Sequence, residues 1–431
     1  MIILHNRKYS LSFVKIYNLK MANKRKIIND PVHGFITIPS DLVFDLIQHP
    51  HFQRLRRIKQ LGLTHLVYPG ALHTRFQHAV GAMYLMTSAI NVLRSKGVNI
   101  SNKEAEAASV AILLHDIGHG PFSHVLEDTI IQDVKHEALS GLIMGRLNIQ
   151  FGNALTDAIS IFEDTYPIEF FHQLVSGQLD MDRLDYLKRD SFFSGVSEGI
   201  IGSERIIKML NVHSDKLVIE AKGIYSIEKF LVARRFMYWQ VYLHKTALVA
   251  EKMLNSILNR ARQLVLSGEK LFAPPHLTFF LENNIRYDDF VYRPEALTNF
   301  MMLDDDDIMS AIKIWSTSED HILSQLSGDF VNRNLFRIKI QNNPFTDDEI
   351  NKVKEAVVDA YDLKNKEDCD FWVYSGSISN NTYSPNHENI NILYNDSELK
   401  DITEASDMIN LSVLGKRNRK YFLSYPKTLL K

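Results

Sequence analysis

A mainly α-helical fold, a helical bundle followed by a smaller α+β region, is what this 431-residue sequence predicts. Three observations predict it. From His78 to Lys96, apolar residues recur at Ala82, Leu85, Met86, Ala89, Ile90 and Leu93, the spacing of one helix face. The stretch "SNKEAEAASVAILLHD" opens with a capping box, Ser101 and Glu104, and is apolar nearly all round from Ala105 to Leu114, as a helix inside a bundle must be. After "GEKLFAPPHL" the texture changes, and the chain ends in one capped helical pattern ("TDDEINKVKEAVVDAY") among β-rich runs ("FWVYSG", "NINILY", "RKYFLSY").

Taken in order, residues 1–24 read as an N-terminal extension, 25–275 as a helical core, 276–340 as a helical or mixed extension of it, and 341–431 as a small α+β appendage. The first 26 residues carry seven Lys/Arg and no acid, and their apolar stretches are too broken for a secretory h-region. Met21 reads as a natural start, so residues 1–20 are expected to be an upstream extension of the reading frame. A later helix holds "DMDRLDYLKRD", with Asp182, Tyr186 and Asp190 four residues apart on one face. A long helical pattern from about Ser226 to Ser267 puts Arg234, Tyr238, Tyr242 and Lys245 on one side. "MMLDDDDIMSAIKIW" reads as an acidic helix start rather than a calcium loop, because the EF-hand spacing and glycine are missing.

Composition narrows the function. A formal charge of −2 argues against a general nucleic-acid binder, and the single cysteine, Cys369, excludes an internal disulfide and fits a reducing compartment. No apolar run is long enough to span a bilayer, so a cytoplasmic protein is expected. Any metal must be held by His, Asp or Glu.

"HDIGHGPFSH" (115–124) places three histidines and an aspartate at the end of the buried helix, where Gly118 and Pro121 stop it. Core packing does not call for so many imidazoles, since each one buried needs hydrogen-bond partners. His78, His115, Asp116 and Asp182 each sit on, or at the end of, a helix with an apolar face. Two imidazoles and two carboxylates gathered in a bundle core make a borderline-hard site for a divalent metal, Mn, Fe, Ni, Zn or Mg, with open positions left over.

These blocks are similar to those of the HD-domain phosphohydrolases, and most similar to the deoxynucleoside triphosphate triphosphohydrolases among them. The resemblance runs through "INDPVHGFI", "FQRLRRIKQLG", "HTRFQHAVG", "HDIGHGPFSH", "KHE", "DMDRLDYLKRD" and "VYLHK", with a weaker echo in "RNLFR", and covers roughly residues 25–340. The resemblance does not extend to a SAM domain, and none is expected. It implies an HD-domain helical bundle that hydrolyses deoxynucleoside triphosphates to deoxynucleoside and tripolyphosphate.

The resemblance also implies roles. His78, His115, Asp116 and Asp182 would bind the metal. His124 would donate a proton to the leaving oxygen, supported by Glu127 and His136, and His119 would contact the α-phosphate. Glu127 stands where the human member has aspartate, which alters the relay by one methylene. Arg75, Arg183, Lys245 and Arg234 would take the phosphates. Tyr186 and Asp190 would hold the sugar 3′-hydroxyl, and Gln60, Leu61 and Tyr242 would crowd its 2′ side, favouring deoxynucleotides.

Lys26, Gln53, Arg56, Arg333 and Arg337 match positions around regulatory nucleotides, and a homotetramer comes by the same analogy. Gln48 and Glu220 depart from the human pattern, which leaves the activating nucleotide open. Two alternatives stand beside this reading. One is an HD-type phosphohydrolase of nucleoside monophosphates or cyclic nucleotides, and the other is a nucleic-acid-binding or regulatory protein with a vestigial HD fold.

Overall fold

A computed structural model describes residues 24–122, 124–131, 134–380, 389–395, 397–407 and 418–429, with positions 124, 127, 128, 380 and 418 described as backbone alone. The expected extension over 1–20 lies outside the described residues. The chain is mainly helical with small sheets, as its sequence predicts. The short hairpin β1 (Ile27–Asp30) and β2 (Gly34–Thr37) comes first, paired antiparallel with Ile28 opposite Ile36. Helix α1 (Asp41–Gln48) is capped by the Ser40 side chain, and α2 (Pro50–Gln53) begins with proline at its first position, where a missing N–H costs nothing. A tight turn, Arg54–Arg57, follows.

The site rests on three helices. α3 (Arg75–Ser95) starts at a Thr74–Gln77 capping box and packs against both α4 (Asn102–Leu114) and α9 (Met181–Ser194). α4 starts at the Ser101–Glu104 box and is buried from Ala107 to Leu114, as its all-round apolar pattern requires. α9 is capped by Asp180 and ends at Gly195, whose φ of 73° is a left-handed stop. Between them lie α5 (His124–Thr129), α6 (His136–Gln150), α7 (Thr156–Phe162) and α8 (Glu169–Val175).

Beyond α9, α10 (Ser203–Met209) leads into strands β3 (Leu210–His213) and β4 (Lys216–Glu220). The long helical pattern expected from about Ser226 to Ser267 is two helices, α11 (Ile224–Met237) and α12 (Lys245–Leu266). A π turn over Tyr238–Tyr242 separates them, and His244 leaves the helical backbone to accept the N–H of Thr246 as the N-cap of α12. The break turns Tyr242 and Lys245 away from one continuous face. The next helices are α13 (Pro275–Glu282), α14 (Tyr287–Tyr292), α15 (Pro294–Phe300), α16 (Asp305–Trp315) and α17 (His321–Val331). The acidic run caps α16, through an Asp304–Asp307 capping box.

The last region contains β5 (Arg337–Gln341), α18 (Asp347–Tyr361), β6 (Tyr374–Asn380), β7 (Asn391–Leu393), β8 (Leu399–Asp401), α19 (Ile402–Ala405) and β9 (Asn418–Tyr425). β9 is the middle strand of an antiparallel sheet in the order β5-β9-β6. β7 instead pairs parallel with β4, far back in the chain, to complete the sheet β3-β4-β7-β8. One cluster of buried apolar side chains runs from Ile36 through Trp315 and Trp372 to Tyr425.

Candidate metal centre

His78 enters the site from the first turn of α3, and His115 caps the end of α4 with Asp116 beside it. Asp182 comes from the first turn of α9. Three helix ends thus place the four residues together. His78 Nε2 lies 3.1 Å from Asp182 Oδ1 and 3.8 Å from Asp116 Oδ2. His115 Nε2 lies 3.4 Å from Asp116 Oδ1 and 3.5 Å from Asp182 Oδ1.

The opposite ring nitrogens fix which atoms face inward. His78 Nδ1–H donates to Asp185 Oδ2 at 2.8 Å, and His115 Nδ1–H donates to the Ile112 carbonyl at 2.7 Å. In its neutral form each imidazole then carries its lone pair on Nε2. Both Nε2 atoms are buried and make no hydrogen bond. A buried acceptor without a donor is costly, and a cation among these four groups removes the cost. Burial alone would lower the pKa of His78, but the carboxylates of Asp182 and Asp185 on either side carry it up to about 10. The same field that holds a proton there would hold a metal ion. Burial opposes ionisation of Asp116 too, yet His115, His119 and Arg75 keep it well below the usual carboxylate range.

A layer behind the four candidate ligands fixes them. Asp185 Oδ1 accepts His33 Nε2–H at 2.7 Å, while Arg189 bonds both Asp185 and Asp30. Gly81 makes this possible, because a Cβ there would overlap Asp185 Oδ1 and the Arg189 guanidinium. Gly118 has the same role in the HD loop, where a Cβ would overlap the His136 carbonyl and the Ser140 N–H. Ser140 Oγ donates to the His115 carbonyl and accepts the Gly118 N–H, tying the loop to α6.

His119 and His136 stack with centroids 3.7 Å apart and planes 18° from parallel. Asp116, His119 and His136 form a second set of donor atoms within 4.8 Å of one another, alongside His78, His115 and Asp116. Lone pairs of nearly parallel rings do not converge on one point, whereas the His78 and His115 rings stand at 75°. The first set therefore suits a cation better. Burial and the nearby Arg75 lower the His119 pKa to about 3, so it faces the site as a neutral imidazole. His124 lies at the start of α5, and its side chain and that of Glu127 lie outside the described residues.

Around this centre, Arg75 NH1 donates to Asp116 Oδ2 at 2.5 Å. Arg183 is paired with the buried Asp180, whose pKa burial pushes up to about 6. Arg234 NH1 reaches Gln178 at 3.4 Å, and its guanidinium lies 5.9 Å from the Tyr238 ring. Lys245 is exposed at the first position of α12. Asp190 accepts from His73 Nε2–H at 2.7 Å and from the Tyr242 hydroxyl at 2.9 Å, with the Tyr186 and Tyr242 rings in edge contact. The Gln60 N–H donates to the His73 carbonyl, which ties Gln60 and Leu61 to the same wall.

The expected regulatory residues fall in separate places. Gln53 Nε2 donates to the Ile47 carbonyl, and Arg56 donates to Gln53 while lying over the Phe76 ring at 3.5 Å. Lys26 is exposed and immediately precedes β1. Arg333 donates to the Leu66 carbonyl, and Arg337 opens β5. Glu220 is held by Lys96 at 2.7 Å and Lys222 at 3.1 Å.

Comparison with known proteins places the chain among HD-domain proteins. The HD domain family model matches residues 75–168, which include His78, His115 and Asp116, and the HD associated region matches 201–271. A crystal structure of a phosphohydrolase from Bacteroides thetaiotaomicron superposes with a TM-score of 0.90 at 55% identity, covering 93% of this chain and 99% of that one. The chain belongs to the HD-domain phosphohydrolase family. An uncharacterised protein, YwfO of Bacillus subtilis, is 33% identical over 95% of this HD-domain chain and 94% of its own length. The deoxynucleoside triphosphate triphosphohydrolase SAMHD1 homolog of Dictyostelium discoideum is 29% identical over 63% of this chain, which spans 56% of that protein.

Sequence reading missed the layer of this HD-domain site behind the ligands: His33, Asp185, Arg189, Asp30 and His73. A signal existed for two of them. Asp185 and Arg189 are four apart in "DRLDYLKRD" and share a stripe next to the one read, as a salt-bridged pair would.

Proposed function

We propose that this HD-domain phosphohydrolase hydrolyses deoxynucleoside triphosphates to deoxynucleoside and inorganic tripolyphosphate. The observation that carries the reading is the pair of inward Nε2 atoms of His78 and His115, buried and without hydrogen bonds beside Asp116 and Asp182. A divalent cation held there would acidify a water molecule and polarise a phosphoryl oxygen.

The surrounding residues support a triphosphate of a deoxy sugar. Arg75 stands beside Asp116, and Arg183 and Arg234 are near enough to Tyr186 to act on it electrostatically. This leaves strong cations on two sides of the centre for an anionic chain. Neutral His119, whose Nε2 faces Asp116 at 3.3 Å, would lie against the α-phosphate without supplying the leaving group with a proton, a role that falls to His124. On the sugar side, Asp190 would accept a 3′-hydroxyl. The Tyr242 hydroxyl that it fixes fills the adjacent space, so an added 2′-hydroxyl would meet a wall. Nucleotide regulation through Gln53, Arg56 and Arg333, a homotetramer and a cytoplasmic location belong to the same proposal.

Purified protein incubated with each deoxynucleoside triphosphate and Mn²⁺, singly and mixed, tests it. Chromatography should show deoxynucleoside and tripolyphosphate from the wild type and a loss of about a thousandfold or more in Asp182→Ala. Absence of both products under every mixture and metal overturns the reading.

A further inference from the structure

We propose that Asp305 is a positioning residue for this reaction, fastening the wall beside the sugar to the loop that follows the HD pair. The inference rests on the substrate reading above only for its selectivity arm. Three successive residues at the start of α16 collect bonds from two distant segments. The Leu303 carbonyl accepts Arg54 Nε–H at 2.9 Å, and Asp304 accepts from Arg57. Asp305 Oδ2 accepts the Lys59 backbone N–H at 3.0 Å and the Lys59 ammonium at 3.3 Å. Its other oxygen, Oδ1, accepts the Phe122 N–H at 3.3 Å.

One carboxylate therefore holds one backbone amide from each segment. Lys59 immediately precedes Gln60 and Leu61. Phe122 has a φ of 51°, a left-handed conformation that an aromatic residue does not adopt by preference, and it stands two residues before α5. Arg54 joins the same two segments with opposite polarity, through the carbonyls of Ile117 at 3.4 Å and His119 at 2.6 Å. Asp305 is 1% exposed, so water cannot substitute for it. The acidic run that caps α16 thus has a second use. Its buried member sets the separation between the sugar wall and the turn that leads to α5.

Chemistry supplies a discriminating variant. Asp305→Asn keeps the size but has one acceptor oxygen, so the Lys59 or the Phe122 N–H must face an amide group that cannot accept it. Asp305→Glu keeps the charge and displaces it by one methylene. Hydrogen exchange of the metal-loaded protein gives a readout that needs no substrate. Peptides covering 57–63 and 117–126 should exchange about tenfold faster in both variants, with the rest of the chain unchanged. The ratio of kcat/KM for a deoxynucleotide to that for its ribonucleotide should also fall by about tenfold. Lys59→Met, which keeps the backbone N–H and removes only the ammonium, should change both readouts less than either Asp305 variant.

Wild-type exchange in both segments of either folded variant overturns the proposal. So does uniformly faster exchange with an unchanged selectivity ratio, which would mark Asp305 as a general stabiliser. If the wild type hydrolyses no deoxynucleotide, the substrate reading fails, and the exchange arm still decides whether Asp305 joins the two segments.

Discussion

His78 is oriented from behind: its Nδ1 is held by Asp185, which is itself held by His33 and Arg189, all buried. A carboxylate in this position locks the tautomer and raises the basicity of the opposite nitrogen, and outer partners of this kind are worth about 10- to 100-fold in metal affinity. Asp185→Asn, which can accept the same proton without its charge, should lower affinity for Mn²⁺ by about tenfold or more, measured by competition with a chelating dye. Unchanged affinity would mean that Asp185 serves only Arg189. At this scale the sequence pointed to four candidate ligands, which the structure brings together, and was silent about their support. His78, His115, Asp116 and Asp182 stand out because histidines and carboxylates on apolar faces need a reason to be there. His33 and Asp30 come from a hairpin more than 150 residues away from Asp185, a separation that no local pattern encodes.

The helices were legible where their own residues decide them. The Ser101–Glu104 box starts α4, the acidic run starts α16, and the Thr346–Glu349 box starts α18. The π turn at Tyr238–Tyr242 was not, because its apolar spacing continues that of α11 and only the capping by His244 reveals the break. The hairpins β1–β2 and β3–β4 are local but so short that no periodicity marks them, and the parallel pairing of β4 with β7 depends on a partner about 170 residues away. The junction of α1 and α2 also holds a testable pair. His49 accepts the His51 N–H on Nδ1 and pairs Nε2 with Gln150 at 3.1 Å, so it sits there as a neutral ring. Burial lowers the pKa of His49, and burial with the neighbouring His49, Arg54 and Arg146 lowers His51 to about 4. Both folded values lie below the unfolded value of 6.5, so unfolding takes up protons between the two. Stability is complete above pH 6.5 and lost as pH falls towards 4, with His51 contributing roughly 2–3 kcal/mol. Denaturant unfolding at pH 7 and pH 4.5 should show a smaller difference for His51→Gln than for wild type. An equal difference would assign the acid sensitivity elsewhere.

At the scale of the molecule, the change of texture near residue 340 reads as a boundary, yet the buried cluster crosses it. Val353, Val357, Trp372, Leu423 and Tyr425 belong to the same continuous core as α12 and α17. β9 contributes most to that joining, since it supplies both ladders of its sheet and buries Phe422, Leu423 and Tyr425. Each such side chain is worth about 1.5–3 kcal/mol, so their sum approaches the whole stability of an ordinary domain, about 5–15 kcal/mol. Ending the chain after Arg417 should therefore lower the unfolding midpoint of the entire helical signal, by about 10 °C or more on the usual scaling of such losses. Circular dichroism at 222 nm on the metal-loaded full-length and shortened proteins would measure it. If the last region were an independent appendage, the shortened protein would lose only a separate minor transition and keep the main midpoint, and the notion of one shared core would fail. A lowered common midpoint would mean that the C-terminal sheet and the helical core unfold as one unit, joined through α12, which packs against both β5 and α5, the helix that begins at His124.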